Sequence, residues 1–226
     1  MRDVAVGLPH AGVVKTDMAT SLALTFGADA RAANRLGPIL HMKSALLILN
    51  ANMIVREFLD RTTCEWLWCV EWDHELRLET LYALLAAQKR VIGAMYFIEY
   101  LGSIRPCASV NGGNFRPINS FKTGEIMPVA HLGMGCTLIH RSVLEKMRAE
   151  PDEQAVAPYW WYDEDPGLEE DGHPIRHGHD ISFCLRAARA GFQVYLHTGC
   201  ITPHLDKGRT LDLKAYLAQD AVKECK

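Results

Sequence analysis

The chain has 226 residues, 49% hydrophobic and 23% charged, with a formal net charge of −3. That composition is ordinary for a globular domain and long enough to bury a core without staples. The negative balance gives no general attraction for nucleic acid or anionic membrane, and seven cysteines with no CxxC pair argue against a disulfide framework or zinc-thiolate knuckle.

In chain order, VAVGLP at 4–9 reads as a short buried strand stopped by Pro9. Its apolar run is too short for a signal peptide, and no later run approaches the ~18 residues of a membrane span. A cytoplasmic protein with reduced thiols is expected. Residues 17–26 predict a helix ended by Gly27. Residues 43–60 predict a longer one, with Leu46, Leu49 and Met53 beside Leu47, Ile54 and Phe58. Residues 66–72 form a buried strand, 78–88 a helix, and RVIGAMYF another strand. This alternation predicts an α/β domain with a mostly parallel central sheet.

Residues 102–128, rich in Gly, Asn, Ser and Pro, predict loops and short antiparallel strands. LGMGCTLIHRSVLEKM then gives turn, strand and helix. The irregular, acidic and aromatic stretch 151–178 predicts a functional loop. HDISFCLRAARAG is a compact helix with Asp180 as N-cap and Gly191 past its end, FQVYLHT a final strand, and the tail from 210 a surface helix.

Three places carry chemistry. EWDHE puts Glu71 and Asp73 two apart at the end of a strand, so both side chains point the same way. Two hard oxygen donors at the carboxyl edge of a parallel sheet suit Mg²⁺ or Mn²⁺, and equally cap the helix that follows. In HGHDISFC, Asp180 is an N-cap or a general base. His173, His177 and His179 sit in a Gly/Pro-broken loop, not at the i, i+4 spacing of helical zinc ligands. His204 follows the last strand, where a lone histidine is commonly structural.

The order of these pieces resembles the GT-A glycosyltransferases, and more narrowly the small bacterial and phage members related to family 2. The matching stretches are VGLPHAG, NANMIVREFL, VEWDHE, LGMGCTLIHR, GHDISFCLRAARAG and TPHL, which reach from the start to about residue 205. The resemblance implies a single Rossmann-like GT-A domain over 1–209 and a C-terminal helical tail over 210–226. Asp73 matches the second acid of the family's DxD, which binds metal and donor diphosphate, and Glu71 stands where the first Asp is expected. His204 matches the histidine that completes the metal site. Asp180 matches the catalytic base of inverting members, with His179 in place of the preceding Glu. Pro9 and His10 stand where the first strand meets the nucleotide base, Asn52 matches an Asn of the helix, and Gly133 and Gly135 allow close approach to the sugar.

The implied donor is a nucleotide-diphospho sugar, UDP-linked, used with Mn²⁺ or Mg²⁺. The acceptor is a glycan, a protein or a hydroxymethylated pyrimidine in phage DNA, reached by loops or by a homo-oligomeric partner. Trp160, Trp161 and Tyr162 line the acceptor side in this reading. A nucleic-acid acceptor requires Arg105, Arg116, Lys122, Arg141 and Lys146 to gather on one face. Two other readings stand beside it: a sugar-nucleotide nucleotidyltransferase, for which LPHAGVVKTD is a poor match, and a non-catalytic sugar-nucleotide-binding module.

Overall fold

The computed structural model describes residues 2–110, 117–118, 120–150, 160–164, 166–170 and 173–223. Residues 151–159, 165, 171 and 172 of the acidic stretch 151–178, together with Arg116 and the side chain of His173, lie outside that description. Seven strands make the central sheet: β1 Val4–His10, β2 Leu36–Lys43, β3 Trp66–Val70, β4 Val91–Met95, β5 Ile126–Val129, β6 Cys136–His140 and β7 Val194–Ile201. Their spatial order is β2-β1-β3-β6-β4-β7-β5. β1 pairs in parallel with β2 and β3, and β4 with β7; β6 runs antiparallel to both β3 and β4, and β5 to β7. Five of the seven strands therefore run one way.

Helices cover both faces: α1 Thr16–Arg31, α2 Leu47–Arg61, α3 Leu78–Ala86, α4 Arg141–Ala149, α5 His179–Arg189 and, at the periphery, α6 Leu213–Lys223. Strand alternation sorts the core into two layers. Val4, Val6 and Leu8 with Trp68 and Val70 pack against Met18 and Leu22 of α1 and Leu81 and Leu84 of α3. Ala5 and Leu67 face the other way, onto Ile54 and Phe58 of α2, Leu144 of α4 and Phe183 of α5. Each fully buried Leu, Ile or Phe contributes roughly 1.5–3 kcal/mol. Gly7 sets the spacing on this second face, because a Cβ there would lie 2.9 Å from Ile54 Cγ2.

Two expectations are corrected. β2 is absent from the sequence reading because Gly37 and Pro38 interrupt it and only Leu36 and Leu40 are buried. An edge strand tolerates both residues, since one side of its ladder is unpaired. α1 also does not stop at Gly27. A glycine inside a helix costs about 1 kcal/mol, and packing of the helix outweighs it. The helix ends at Arg31 with Ala32 as cap, and the chain turns at Asn34, with φ 51, while Asp29 accepts from the Arg35 and Leu36 amides and from the Tyr82 hydroxyl.

The loops expected between 102 and 128 include short antiparallel pairs, Phe97–Tyr100 with Ser103–Pro106 and Ala108–Ser109 with His131–Leu132. α6 is joined to the first of these by Gln219, whose amide donates to the Ile104 carbonyl and accepts from the Ile104 amide. Arg141 does not belong to a basic face. Its guanidinium donates to the carbonyls of Phe58, Leu59, Thr62 and Cys64, satisfying the orphan acceptors at the end of α2. Lys122 and Lys146 are paired with Glu125 and Glu150. Among the described residues no helix is long and apolar enough to cross a membrane.

Candidate functional site

The chain leaves β3 at Val70 and turns through Glu71–His74, and three strands' worth of backbone fixes that turn. The Glu71 amide donates to the Gly135 carbonyl at 3.1 Å, ahead of β6. The Glu75 amide donates to Pro203 at 3.0 Å and the Leu205 amide to Asp73 at 2.8 Å, tying the turn to the segment after β7. Asp73 and His204, far apart in sequence, are brought together by this stitching.

Asp73 Oδ2 lies 3.4 Å from His204 Nε2, and Asp73 Oδ1 lies 3.1 Å from His74 Nδ1. His204 Nδ1 is 3.0 Å from the Phe97 carbonyl, which only accepts, so Nδ1 carries the hydrogen and Nε2 faces the acid. Histidines that ligate metals are oriented in this way, with the far ring nitrogen donating to a fixed acceptor. The two rings stack, with centroids 4.8 Å apart, and His74 also meets Tyr96 edge-on. Glu71, Asp73 and His74 each offer a donor atom within 4.8 Å of the others. Hard oxygens with imidazole nitrogen fit a divalent ion such as Mn²⁺.

His74 is the residue that sequence reasoning missed. It is fully buried, and a Cβ at Gly135 would overlap its ring. A Cβ at Gly133 would overlap the Tyr96 hydroxyl and crowd Cys107. Both positions thus require glycine because side chains of the site fill the space beside them. Nothing in the local sequence signals this, since the partners come from different strands.

The charges are set by burial and neighbours. Burial alone would raise the Asp73 carboxyl, but its bonds to His204 and His74 outweigh that and hold it well below the usual carboxylate range. Burial would lower His204, and Asp73 raises it instead. Burial lowers His74, against the pull of Asp73. Glu71 behaves oppositely to Asp73: burial, then the negative charges of Asp180 and Asp73, push it up to about 8.

A stability consequence follows from Glu71. Its proton leaves the unfolded chain near the ordinary value of 4.5 and the folded chain near 8. Between those values the folded state binds more protons, so stability falls as pH rises. Glu71→Gln is expected to melt at the wild-type temperature at pH 4.5 and above it at pH 8, measured by thermal melts in metal-free buffer. Equal melting temperatures at both pH values would show that Glu71 is not held protonated.

Asp180 lies in the first turn of α5, but the N-cap is Gly178, without a side-chain cap, so the capping role expected for Asp180 is corrected. Its Oδ1 is 2.8 Å from His179 Nε2, off the alignment of a hydrogen bond, and is buried with no hydrogen-bond partner among the described residues. Burial lowers His179, but contact with Asp180 outweighs it and raises the imidazole. The ring of His179 stands between two cavities. One, of about 20 Å³ and so large enough for little more than a single oxygen or water, lies between the carboxyl ends of β1 and β3 and α2, walled by Gly7, Pro9, Ile54, Glu71, Tyr162 and His179. The other, of about 240 Å³, is walled by Cys107, Leu132, Gly133, His179 and Asp180.

The remaining expected residues fall in different places. Pro9 lines the first cavity. His10 stacks on His41 at the end of β1 and β2, and its Nδ1 accepts from the Gly12 amide. Asn52 is buried and has no capacity left for a donor nucleotide. It donates to the carbonyls of Ile48 and Tyr162 and accepts from the amides of Trp161 and Tyr162. Trp161 is a core anchor, its indole donating to the Leu144 carbonyl, and Trp160 is exposed. His177 lies beside buried His131, with ring centroids 6.4 Å apart, and no zinc-like cluster of the three loop histidines is seen among the described side chains.

No family model matches the chain, and no curated protein matches it in sequence. Solved structures do resemble it. The crystal structure of A197 from STIV aligns with a TM-score of 0.58 at 15% identity, over 95% of this chain and 91% of that one. GalNAc-T7, solved with UDP, GalNAc and Mn²⁺, aligns with a TM-score of 0.54 at 10% identity. That match covers 90% of this chain but 44% of the neighbour, so the chain spans under half of that structure's length. At these identities the likeness is one of fold, and the fold is GT-A-like.

Proposed function

We propose that the chain is a metal-dependent glycosyltransferase that moves a sugar from a nucleoside diphosphate, UDP in our reading, to an acceptor hydroxyl with inversion. One observation carries it: a depressed carboxylate, Asp73, paired with an oriented histidine, His204, at the carboxyl edge of a mostly parallel sheet, with a second acid, Asp180, close enough to act with Asp73 on the charge of Glu71 between them. Open sheets bind ligands at that edge.

In this reading Asp73 and His204 hold a divalent ion, Mn²⁺ or Mg²⁺, with Glu71 in reach. Such an ion neutralises charge on the leaving diphosphate. Asp180, whose buried Oδ1 has no aligned hydrogen-bond partner among the described residues, accepts the proton of the attacking hydroxyl, with His179 in contact beside it. Pro9 and His10 stand where the nucleoside would lie. Gly133 and Gly135 act by admitting Tyr96 and His74, which fix the acids. The six described cysteines are all free thiols, in keeping with a reducing cytoplasm. A glycan or protein acceptor suits the charge better than DNA, because Lys122, Arg141 and Lys146 are already engaged.

The test is a thermal-shift screen of nucleoside diphosphates and their sugars, with and without Mn²⁺, followed by measurement of released diphosphate. A UDP-sugar at one hundred times its Kd should stabilise the protein by about 2.7 kcal/mol, only with the metal present, and should slowly release UDP. If no nucleotide sugar shifts the melt or is hydrolysed in Mn²⁺, the reading fails. Binding without turnover would instead favour a sugar-nucleotide-binding module.

A further inference from the structure

Tyr162 is 2% exposed, yet among the described residues its hydroxyl meets only sulfur, Met134 Sδ at 3.8 Å and Cys69 Sγ at 3.9 Å. A buried tyrosine hydroxyl ordinarily finds an oxygen or nitrogen partner, and thioether and thiol sulfurs are weak acceptors. The hydroxyl is therefore a donor with little to donate to. The residue is nonetheless held firmly by everything else about it. Its ring stacks on Phe183, with centroids 4.8 Å apart and planes 19° from parallel. Its backbone is clamped on both sides by Asn52, which receives the Tyr162 amide at 3.1 Å and donates to the Tyr162 carbonyl at 2.8 Å.

This fixed ring walls the cavity at the ends of β1 and β3, beside Glu71 and His179. In the glycosyltransferase reading, the sugar must sit between the Asp73 and His204 pair and Asp180; this cavity is walled by Glu71, which has a donor atom within 4.8 Å of Asp73, and by His179, which contacts Asp180. Of its other walls, Gly7, Pro9, Ile54 and Val70 offer no side-chain hydrogen bonds, and Cys69 and Met134 offer only weakly accepting sulfur. A sugar oxygen entering there has few partners besides Glu71, His179 and the Tyr162 hydroxyl.

Resting on that reading, we infer that Tyr162 is a sugar-binding residue, its hydroxyl donating to an oxygen of the donor sugar, and that Asn52 is the positioning residue that aims it. Such a role separates recognition of the sugar from recognition of the nucleotide. Tyr162→Phe removes the donor and keeps the ring, so it should weaken the nucleotide sugar by about fivefold to tenfold, the worth of one neutral hydrogen bond. The matching nucleoside diphosphate, which lacks the sugar, should bind the variant as it binds wild type.

The experiment is a titration of wild type, Tyr162→Phe and Asn52→Ala with the best nucleotide sugar of the screen and with its free diphosphate, both in Mn²⁺. KM and kcat are measured alongside. The expected result is a raised Kd and KM for the sugar nucleotide alone in Tyr162→Phe, with kcat within about twofold and the same direction of change in Asn52→Ala. Unchanged sugar-nucleotide binding in Tyr162→Phe, or an equal loss for the free diphosphate, overturns the inference and leaves the glycosyltransferase reading intact. Failure of every nucleotide sugar to bind wild type overturns both. Should Asn52→Ala unfold early, Tyr162→Phe decides the matter alone.

Discussion

Asp73→Asn is expected to lower metal-dependent turnover by about a thousandfold, the scale of several kcal/mol that a divalent ion contributes at a developing charge. The size of the effect follows from how completely the carboxylate is used. One oxygen faces His74 Nδ1 and the other faces His204 Nε2, so the side chain is held in one orientation from both sides. Asparagine keeps the shape but removes the charge, and its amide NH₂ would confront one of the two imidazoles. The effect also has a stability side. Because the folded Asp73 carboxyl lies below its ordinary value, it stabilises the protein above that ordinary value and the benefit is lost as pH falls through the folded one. The variant should therefore melt below wild type at pH 7, with the gap narrowing in strong acid. Mn²⁺ titration by calorimetry, with released diphosphate as the second readout, checks it. Retained Mn²⁺ affinity and turnover in Asp73→Asn would place the ion elsewhere.

Asp180→Asn should be nearly as costly to turnover, about a hundredfold to ten-thousandfold, but with a different signature. Asp180 is not the cap of α5, and what the variant gives up is one part-exposed ion pair with His179, of a kind that contributes little. The substitution should therefore leave the melting temperature and the affinity for Mn²⁺ and nucleotide sugar close to wild type, with the loss confined to kcat. Stopped transfer with intact donor binding is the expected result. A variant that transfers at the wild-type rate, or loses binding and stability together, would remove Asp180 from the proton-transfer role.

How much of this is legible in the sequence depends on how local each signal is. β3 and the two acids after it are readable, because a buried strand and its polar end lie within a few residues. Asp180 and His204 are readable as residues but not as partners, since only the sheet order brings both near Glu71. β2 hides because an edge strand with two buried side chains leaves a faint pattern, and Gly37 with Pro38 imitates a loop. His74 is invisible in a stronger sense. Its burial is decided by Gly135, Tyr96 and His204, none of them near it in sequence. Asn52 stands out in its motif but not by its task, because an amide that clamps backbone and one that binds a ligand look alike in sequence.

The reversed strand β6 has a consequence for how the chain reaches this state. It wedges between β3 and β4 and delivers Gly135 to the turn at Glu71, while the segment around Leu205 arrives still later to seal Asp73. β1, β2 and β3 with their helices are contiguous and can associate early. The pocket itself closes only through pairings distant along the chain, and distant pairings are the slow ones. On a ribosome, the acids would be synthesised long before their partners, so the nascent chain spends that interval with an open, unpaired edge at β3. Competence to hold a metal ion would then mark the last step of folding.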